Sequence, residues 1–153
     1  MAFDINYEPG YFELALCQQQ GRLFRECQWD FEADAFDFIT KYLNSGIAKE
    51  IDRPYSFYHS MGIKALGEYF LRENNNGVKK FTGDYLDSEA LFWVGYMYRY
   101  WACMGQASKE IINETPAEHA FMMYPGYHTL AVPEAIRMFK KPKIKTNSVS
   151  IVN

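Results

Sequence analysis

A chain of 153 residues with 48% hydrophobic and 23% charged residues is typical of one globular domain, which buries roughly 70% of its unfolded surface. Five of its 16 basic residues follow the last acidic one. They are Arg137, Lys140, Lys141, Lys143 and Lys145. The rest of the chain is strongly acidic, with 11 basic and 19 acidic side chains. This charge argues against duplex DNA or RNA as the main partner, because phosphate binding needs a basic face.

Aromatic side chains are frequent, with 12 Phe, 12 Tyr and 3 Trp, and in a small protein they serve as buried anchors or as a contact surface. The first ten residues carry Asp4 and Glu8 and no apolar run, so we expect no signal peptide. Cys17, Cys27 and Cys103 match neither a metal-binding nor a redox spacing such as C-x-x-C. We therefore expect a cytoplasmic protein with three free, buried thiols.

The spacing of apolar residues predicts helices along the whole chain. A first helix covers residues 11–27 after Pro9, and Gly21 is a potential break within it. The rest of the first half contains three more helix signals, each with a capping residue before an apolar stripe. They are residues 35–43 after Asp30 or Asp34, residues 46–51 after Ser45, and a helix from about Ser60 to Phe70, which the sequence NNNG ends.

The most apolar stretch of the chain is residues 90–104, which contain one charge, Arg99. The stretch is shorter than the ~20 residues that span a bilayer, so we predict a buried core helix, capped by Asp87 or Ser88 and ended by Gly105. Further signals complete the second half. They are a short helix ASKEII, a helix opening at Thr115-Pro116, a turn at Pro125-Gly126 and a last helix opening at Pro133.

Together these signals favour a single all-α domain at residues 1–140, a compact bundle of about six to eight helices. Residues 78–86 form a polar connection, for which a short hairpin is the alternative. The sequence SVSIV at residues 148–152 is the one other strand-like stretch. Residues 141–153 form a basic tail that we expect to be flexible.

Arg99 is the residue of the central helix that most needs an explanation, because a guanidinium among Tyr96, Tyr98, Tyr100 and Trp101 must be paired or reach the surface. The acids nearest to it in sequence lie on other turns of the helix. We therefore predict a carboxylate partner from another segment. Snorkelling to the surface and binding of an anionic ligand are the alternatives.

Part of the chain repeats itself. The segments FITKYL, AKEI and YHSMGIKALGEYF recur in the same order as YMYRYW, SKEI and YHTLAVPEAIRMF, with Lys41 as the counterpart of Arg99. A unit of about 40 residues is too small to bury its apolar faces alone. We therefore predict two related helical units, residues 31–70 and 88–139, packed about a pseudo-twofold axis.

An aromatic helix, a [GA]-x-x-[KE]-E-I turn and then Y-H-[ST] before a final helix resembles small uncharacterised bacterial helical domains. Those domains are encoded beside ADP-ribosyltransferase-like proteins in toxin–antitoxin-type loci. The resemblance covers about 40 residues, twice, and its motifs are short. It implies a protein partner, and no family active-site residues come with it.

The pairs His59-Ser60 and His128-Thr129 are equivalent in the two predicted units, and a histidine beside a hydroxyl can act as its base. The structural alternative is that the hydroxyl caps the next helix while the imidazole bonds a backbone carbonyl. A metal site would need His59, His119 and His128 to converge from three loops, which we do not expect. The candidate binding residues are His59, Ser60, Arg99, Tyr100, Tyr127, His128 and Thr129.

No dinucleotide-binding, P-loop, zinc-protease or nucleophile-elbow motif is present in the sequence, so we assign no catalytic residue, metal or cofactor. The leading hypothesis is a protein-binding module, antitoxin-like or inhibitor-like, that occludes another protein such as a toxin or defence enzyme. A homodimer is left open, and no membrane is expected as a partner. The alternatives are a small enzyme or nucleotide-binding domain with a site between the two units, using His59, His128 and Arg99, and a phage or mobile-element inhibitor of a host defence protein.

Overall fold

The computed structural model describes residues 4–141, which fold into eight α-helices around one core. In chain order the helices are α1 (Tyr11–Phe31), α2 (Ala35–Leu43), α3 (Gly46–Ile51), α4 (Ile63–Glu73), α5 (Ser88–Cys103), α6 (Ser108–Glu114), α7 (Ala117–Tyr127) and α8 (Val132–Lys140). A 3₁₀ turn, Phe57–Ser60, lies between α3 and α4. The predicted all-α bundle of six to eight helices is confirmed.

Over residues 4–141 the β structure is limited to one isolated bridge, between Ala33 and Lys80. This bridge ties the connection at residues 78–86 to the segment after α1, where a hairpin was the alternative. The tail predicted at residues 141–153 lies outside the described residues except for Lys141, and so does the SVSIV stretch. Among the described helices, none has the length and apolar character that crossing a membrane requires.

Three of the predicted helix caps are confirmed. Asp34, Ser45 and Asp87 have extended or near-extended backbones, and their side chains accept hydrogen bonds from backbone N–H groups in the first turns of α2, α3 and α5. Such a cap satisfies donors that have no partner within the helix. Capping signals therefore predicted the starts of these helices well.

Replacing Asp87 by alanine should lower the free energy of unfolding by about 1 kcal/mol, because Asp87 Oδ1 accepts hydrogen bonds from Glu89 N at 2.9 Å and Ala90 N at 3.3 Å. Asp87→Asn is the matched control, since an amide oxygen can cap in the same way. Urea unfolding followed by circular dichroism measures both variants. Equal losses for the two variants would contradict a capping role.

Two other helices begin later than predicted. Gly62, with an extended backbone, precedes α4, while Ser60 stays within the 3₁₀ turn. At α7 the N-cap is Pro116 rather than Thr115. Thr115 is instead buried, and its carbonyl oxygen accepts a hydrogen bond from the hydroxyl of Tyr98 at 2.6 Å. A tertiary contact, invisible in the local pattern, decides the role of Thr115.

The break predicted at Gly21 is wrong, because α1 continues through it to Phe31. Gly21 lies where α1 crosses α5, and a Cβ atom there would be 2.9 Å from the ring of Phe92. On the opposite helix, a Cβ atom at Gly95 would be 2.6 Å from the carbonyl oxygen of Gln20. Both glycines allow the two helices to approach closely.

The turn predicted at Pro125-Gly126 is also wrong, because both residues lie inside α7. A proline removes one backbone donor and disfavours the preceding helical turn. Here α7 ends only two residues after Pro125, and the helical pattern still closes with a hydrogen bond from His128 N to Tyr124 O at 2.9 Å. Packing of α7 against α5 outweighs the local turn signal.

Helix α5 is the centre of the bundle, as predicted, with eleven of its sixteen residues buried. It packs antiparallel to α1 and also contacts α6, α7 and α8. The helices of the second predicted unit follow the order of the first, except that α7 stands where the first unit has the 3₁₀ turn. The duplication itself stays a prediction. The main neighbour of α5, helix α1, lies largely outside both predicted units.

Candidate functional site

Arg99 forms the polar centre of the α1–α5 contact. The residue is 1% exposed, Nη1 donates to Asp52 Oδ1 at 2.6 Å, and Nη2 donates to Gln20 Oε1 at 3.1 Å. The predicted carboxylate partner from another segment is therefore confirmed. Its predicted counterpart, Lys41, is instead a surface residue that pairs with Asp37 at 3.1 Å.

Asp52 joins three helices at this point. Besides Arg99 on α5, it accepts hydrogen bonds from Ser108 at the start of α6, from the backbone N at 2.8 Å and from Oγ at 2.6 Å. Gln20 of α1 completes the network by donating to Gly95 O at 3.0 Å. Arg99 Nε is buried, and no described residue accepts a hydrogen bond from it.

A cleft of about 520 Å³ opens beside this network, between the start of α1, the loop after α3 and the end of α5. Arg99, Asp52 and Cys103 line it together with Phe12 and Tyr55. The volume lies within the range of small-molecule pockets. The cleft is therefore large enough for a small ligand or for a side chain of a partner protein.

Cys103 corrects the expectation of three buried thiols. Cys17 and Cys27 are buried, but Cys103 is partly exposed at the cleft. A hydrogen bond from the Cys17 thiol and the nearby Arg99 guanidinium lower the pKa of the Cys103 thiol. The same contact, together with burial, raises the pKa of Cys17. The two thiols therefore differ in acidity, since the pKa of Cys103 is lowered and the pKa of Cys17 is raised.

Three large aromatic side chains, Phe12, Tyr55 and Phe57, form an aromatic rim beside the cleft. They are 49%, 90% and 75% exposed, respectively. Phe12 and Tyr55 line the cleft, and all three line a shallow groove next to it. Exposed apolar side chains in contiguous groups mark interaction sites, whereas scattered ones are normal. The rim is therefore the best candidate for a contact surface on the described residues.

His59 and Ser60 line the same shallow groove. His59 Nε2 donates a hydrogen bond to Ile51 O at 2.8 Å, and its ring meets Phe12 edge to face. Ser60 Oγ donates to Phe57 O at 3.4 Å and does not cap α4. The predicted bond from the imidazole to a carbonyl is confirmed, and the predicted hydroxyl cap is wrong.

Tyr127, His128 and Thr129 lie at the end of α7, outside the cleft and the groove. His128 Nδ1 donates to Tyr124 O at 2.7 Å, which confirms the predicted bond from this imidazole to a carbonyl. Helix α8 has no side-chain cap, so the cap predicted for Thr129 is wrong. Tyr127 packs edge to face on Phe139. The structure therefore does not bring His128 into the cleft with Arg99.

Tyr100 is buried, and its hydroxyl donates to Tyr7 O at 3.4 Å. His119 packs against the ring of Phe139. Over residues 4–141, histidine, cysteine and carboxylate side chains form no group of three or more that could hold a metal ion. Among the described residues, the polar groups that lie together at the cleft therefore include Arg99, Asp52 and Cys103.

Sequence reasoning missed Asp52 and Gln20 as partners of Arg99 and Ser108 as a partner of Asp52. It also missed the interaction of Cys17 with Cys103. An acid directly after the KEI segment was the available signal for Asp52. The cysteines are 86 positions apart, so spacing could not pair them. Family models, curated proteins and solved structures were compared with the chain, and none matches it significantly, so the site is interpreted from its geometry.

Proposed function

We propose that this is a cytoplasmic protein-binding module, antitoxin-like or inhibitor-like, that contacts its partner through the aromatic rim and occludes the partner's working surface. The observation that carries this proposal is the exposure of Phe12, Tyr55 and Phe57 side by side along the shallow groove next to the cleft. Tyrosine and phenylalanine are enriched at protein interfaces, and buried aromatic anchors dominate binding energy. Free thiols favour the cytoplasmic location.

The segment that carries Tyr55 and Phe57 of the rim is held in place before any partner binds. Gln19 Nε2 of α1 donates to Tyr58 O at 3.1 Å and to Met61 O at 3.0 Å. The bond from His59 to Ile51 O closes the loop across its base. A loop that is already ordered loses less conformational entropy on binding. These contacts therefore support a preformed interface.

Charge favours a basic partner. Outside the run at residues 137–145, acids outnumber bases 19 to 11, and complementary charge speeds association. Near the cleft itself, Glu13 and Asp52 are balanced by Arg53 and Arg99. We therefore expect long-range charge to guide the encounter and the rim to supply most of the contact energy.

The alternative of a small enzyme or nucleotide-binding domain is supported by the cleft but not by the state of Arg99. The Asp52 carboxylate already pairs with the Arg99 guanidinium at 2.6 Å, so a phosphate at this place would have to compete with a negative charge that is built into the site. His128 lies elsewhere. A phage or mobile-element inhibitor would use the same rim and would differ in its partner alone.

The variant Tyr55→Ser/Phe57→Ser tests the rim. Trp29→Ser is the matched control, because Trp29 is a 62% exposed aromatic residue on α1, about 25 Å along the helix from Phe12. Each tagged protein is used to capture partners from its native cells. We expect a basic protein that wild type and the control retain and that the rim variant loses, with affinity about 100-fold lower by calorimetry.

Two outcomes would contradict the proposal. One is a partner that binds the rim variant as tightly as wild type. The other is self-association of the purified wild-type chain that the rim substitutions abolish, since the occupant of the rim would then be a second copy. Repeating the calorimetry at higher ionic strength separates the contributions, because salt should weaken the affinity of wild type and variant alike and leave the loss caused by the rim substitutions unchanged.

A further inference from the structure

The cleft beside the aromatic rim contains a carboxylate, Glu13, whose charge the fold does not neutralise. Glu13 is half-buried in the first turn of α1 and lines the cleft. Its Oε1 accepts a hydrogen bond from Gly10 N at 2.9 Å, which fixes the side chain at the start of the helix. None of the ion pairs among the described residues includes Glu13. The negative charge is therefore held in place without a cationic partner.

The other charges at the cleft are already compensated. Arg99 pairs with Asp52 at 2.6 Å. Arg53 pairs with Glu50 at 3.8 Å, a residue outside the cleft, and its side chain is 60% exposed, so water and salt screen it. Helix α5 also ends at the cleft and brings the negative end of its dipole there. The cleft therefore favours a cation, although its lining includes two arginines.

The uncharged walls of the cleft suit a long side chain. Phe12 and Tyr55, which are 49% and 90% exposed, line it on the solvent side, and the buried residues Leu16 and Ile51 line it from the core. Methylene groups can pack on such walls while a charged head reaches a carboxylate. Arginine fits better than lysine, because a guanidinium is less strongly hydrated and stacks on aromatic rings.

We propose that the cleft binds an arginine side chain of the partner protein, with the guanidinium paired to Glu13 and lying against the rings of Phe12 and Tyr55. The inference rests on the proposed function, which supplies a basic partner for the rim next to the cleft. Arginine is enriched among the residues that dominate binding energy, and these residues fill pockets surrounded by contacts that exclude water. Phe57 and the rest of the groove provide that surrounding contact.

The first test titrates N-acetyl-arginine methylamide into the isotope-labelled full-length chain and follows amide shifts by NMR. We expect saturable shifts at residues that line the cleft. N-acetyl-citrulline methylamide is the matched probe, because it has nearly the same shape without the charge, and it should bind about tenfold more weakly. The corresponding lysine derivative should also bind more weakly than arginine.

The variant Glu13→Gln tests the carboxylate. Glutamine keeps an oxygen that can accept the hydrogen bond from Gly10 N, so the start of α1 should be preserved. Affinity for the arginine probe should fall about tenfold. Glu68→Gln is the matched control: it changes the net charge equally, but Glu68 is exposed on α4 and lines neither the cleft nor the groove. It should bind the probe as wild type does.

Four results would overturn the proposal. The arginine and citrulline probes could bind equally well, or Glu13→Gln could bind the arginine probe as tightly as wild type. Inorganic phosphate could shift the cleft residues while the arginine probe does not, which would make the cleft an anion site. The chain could also take up the probe only after residues 142–153 are removed, and its own Lys143 or Lys145 would then be the occupant.

Phe57→Ser separates this inference from the proposed function, because Phe57 lines the groove but not the cleft. It should weaken binding of the captured partner and leave affinity for the arginine probe unchanged, whereas Glu13→Gln should weaken both. A partner that the rim variant loses but that Glu13→Gln binds as tightly as wild type would overturn the arginine pocket and leave the proposed function standing. A partner indifferent to the rim, with the probe still bound through Glu13, would do the reverse.

Discussion

Replacing Asp52 by alanine should lower the free energy of unfolding by about 3 to 5 kcal/mol, because it leaves the buried guanidinium of Arg99 without its carboxylate partner. The same change removes the acceptor of two hydrogen bonds from Ser108. Asp52→Asn keeps the acceptor without the charge and should lose less. Urea unfolding monitored by circular dichroism gives both values.

Removing both charges separates two contributions to the free energy of unfolding. One is the cost of burying an unpaired guanidinium, and the other is the strength of the ion pair itself. The double variant Asp52→Ala/Arg99→Met should be more stable than Asp52→Ala alone, since no uncompensated charge remains in the core. Glu134→Ala is the matched control for a surface ion pair: Glu134 bonds Arg137 at 2.8 Å with both side chains well exposed, and its loss should be below about 1 kcal/mol. Equal losses in Asp52→Ala and Glu134→Ala would contradict our account of Arg99.

The contact of Arg99 with a carboxylate was predictable because a charge in an apolar helix is stable only when it is paired or reaches the surface. The identity of the carboxylate was not. Asp52 lies 47 positions away in sequence, and it meets Arg99 only because α3 and α5 both pack against α6. Local chemistry thus specified the type of partner, and tertiary packing selected the residue.

Helix positions were predictable where the deciding interactions are local, as at the caps Asp34, Ser45 and Asp87. The errors at Gly21 and Pro125-Gly126 have the opposite origin. Glycine and proline disfavour helix by amounts that packing can offset. At Gly21 the absent side chain is what lets α1 meet α5, so the residue that suggested a break instead allows the helix contact.

The aromatic rim could not be located from sequence, because composition does not say which aromatic side chains are exposed. Tyr55 and Phe57 stood in a segment recognised as a loop, but Tyr98 and Tyr100, equally aromatic, are buried on α5. The histidine pairs were found by their repetition. Their bonds to backbone carbonyls show a structural role for both imidazoles, at the ends of different elements.

Replacing Gly95 by alanine should destabilise the protein by about 2 kcal/mol, although alanine is the better helix former by about 1 kcal/mol. The added Cβ atom would lie 2.6 Å from Gln20 O and 2.9 Å from Gly21 Cα. Both are backbone atoms of α1, so no side chain can rotate away and the helices must separate. That movement would lengthen the contact between Gln20 and Arg99 and loosen the cleft.

Gly126→Ala is the matched control for Gly95→Ala, since Gly126 also lies within a helix and a Cβ atom there meets nothing within 4 Å. It should leave stability unchanged or raise it by up to about 1 kcal/mol. Thermal and urea unfolding of both variants decide the question. If Gly95→Ala proves as stable as Gly126→Ala, α1 and α5 can move apart at no cost in free energy of unfolding. The close approach of the two helices would then not be what positions Cys17, Gln20 and Arg99 relative to one another.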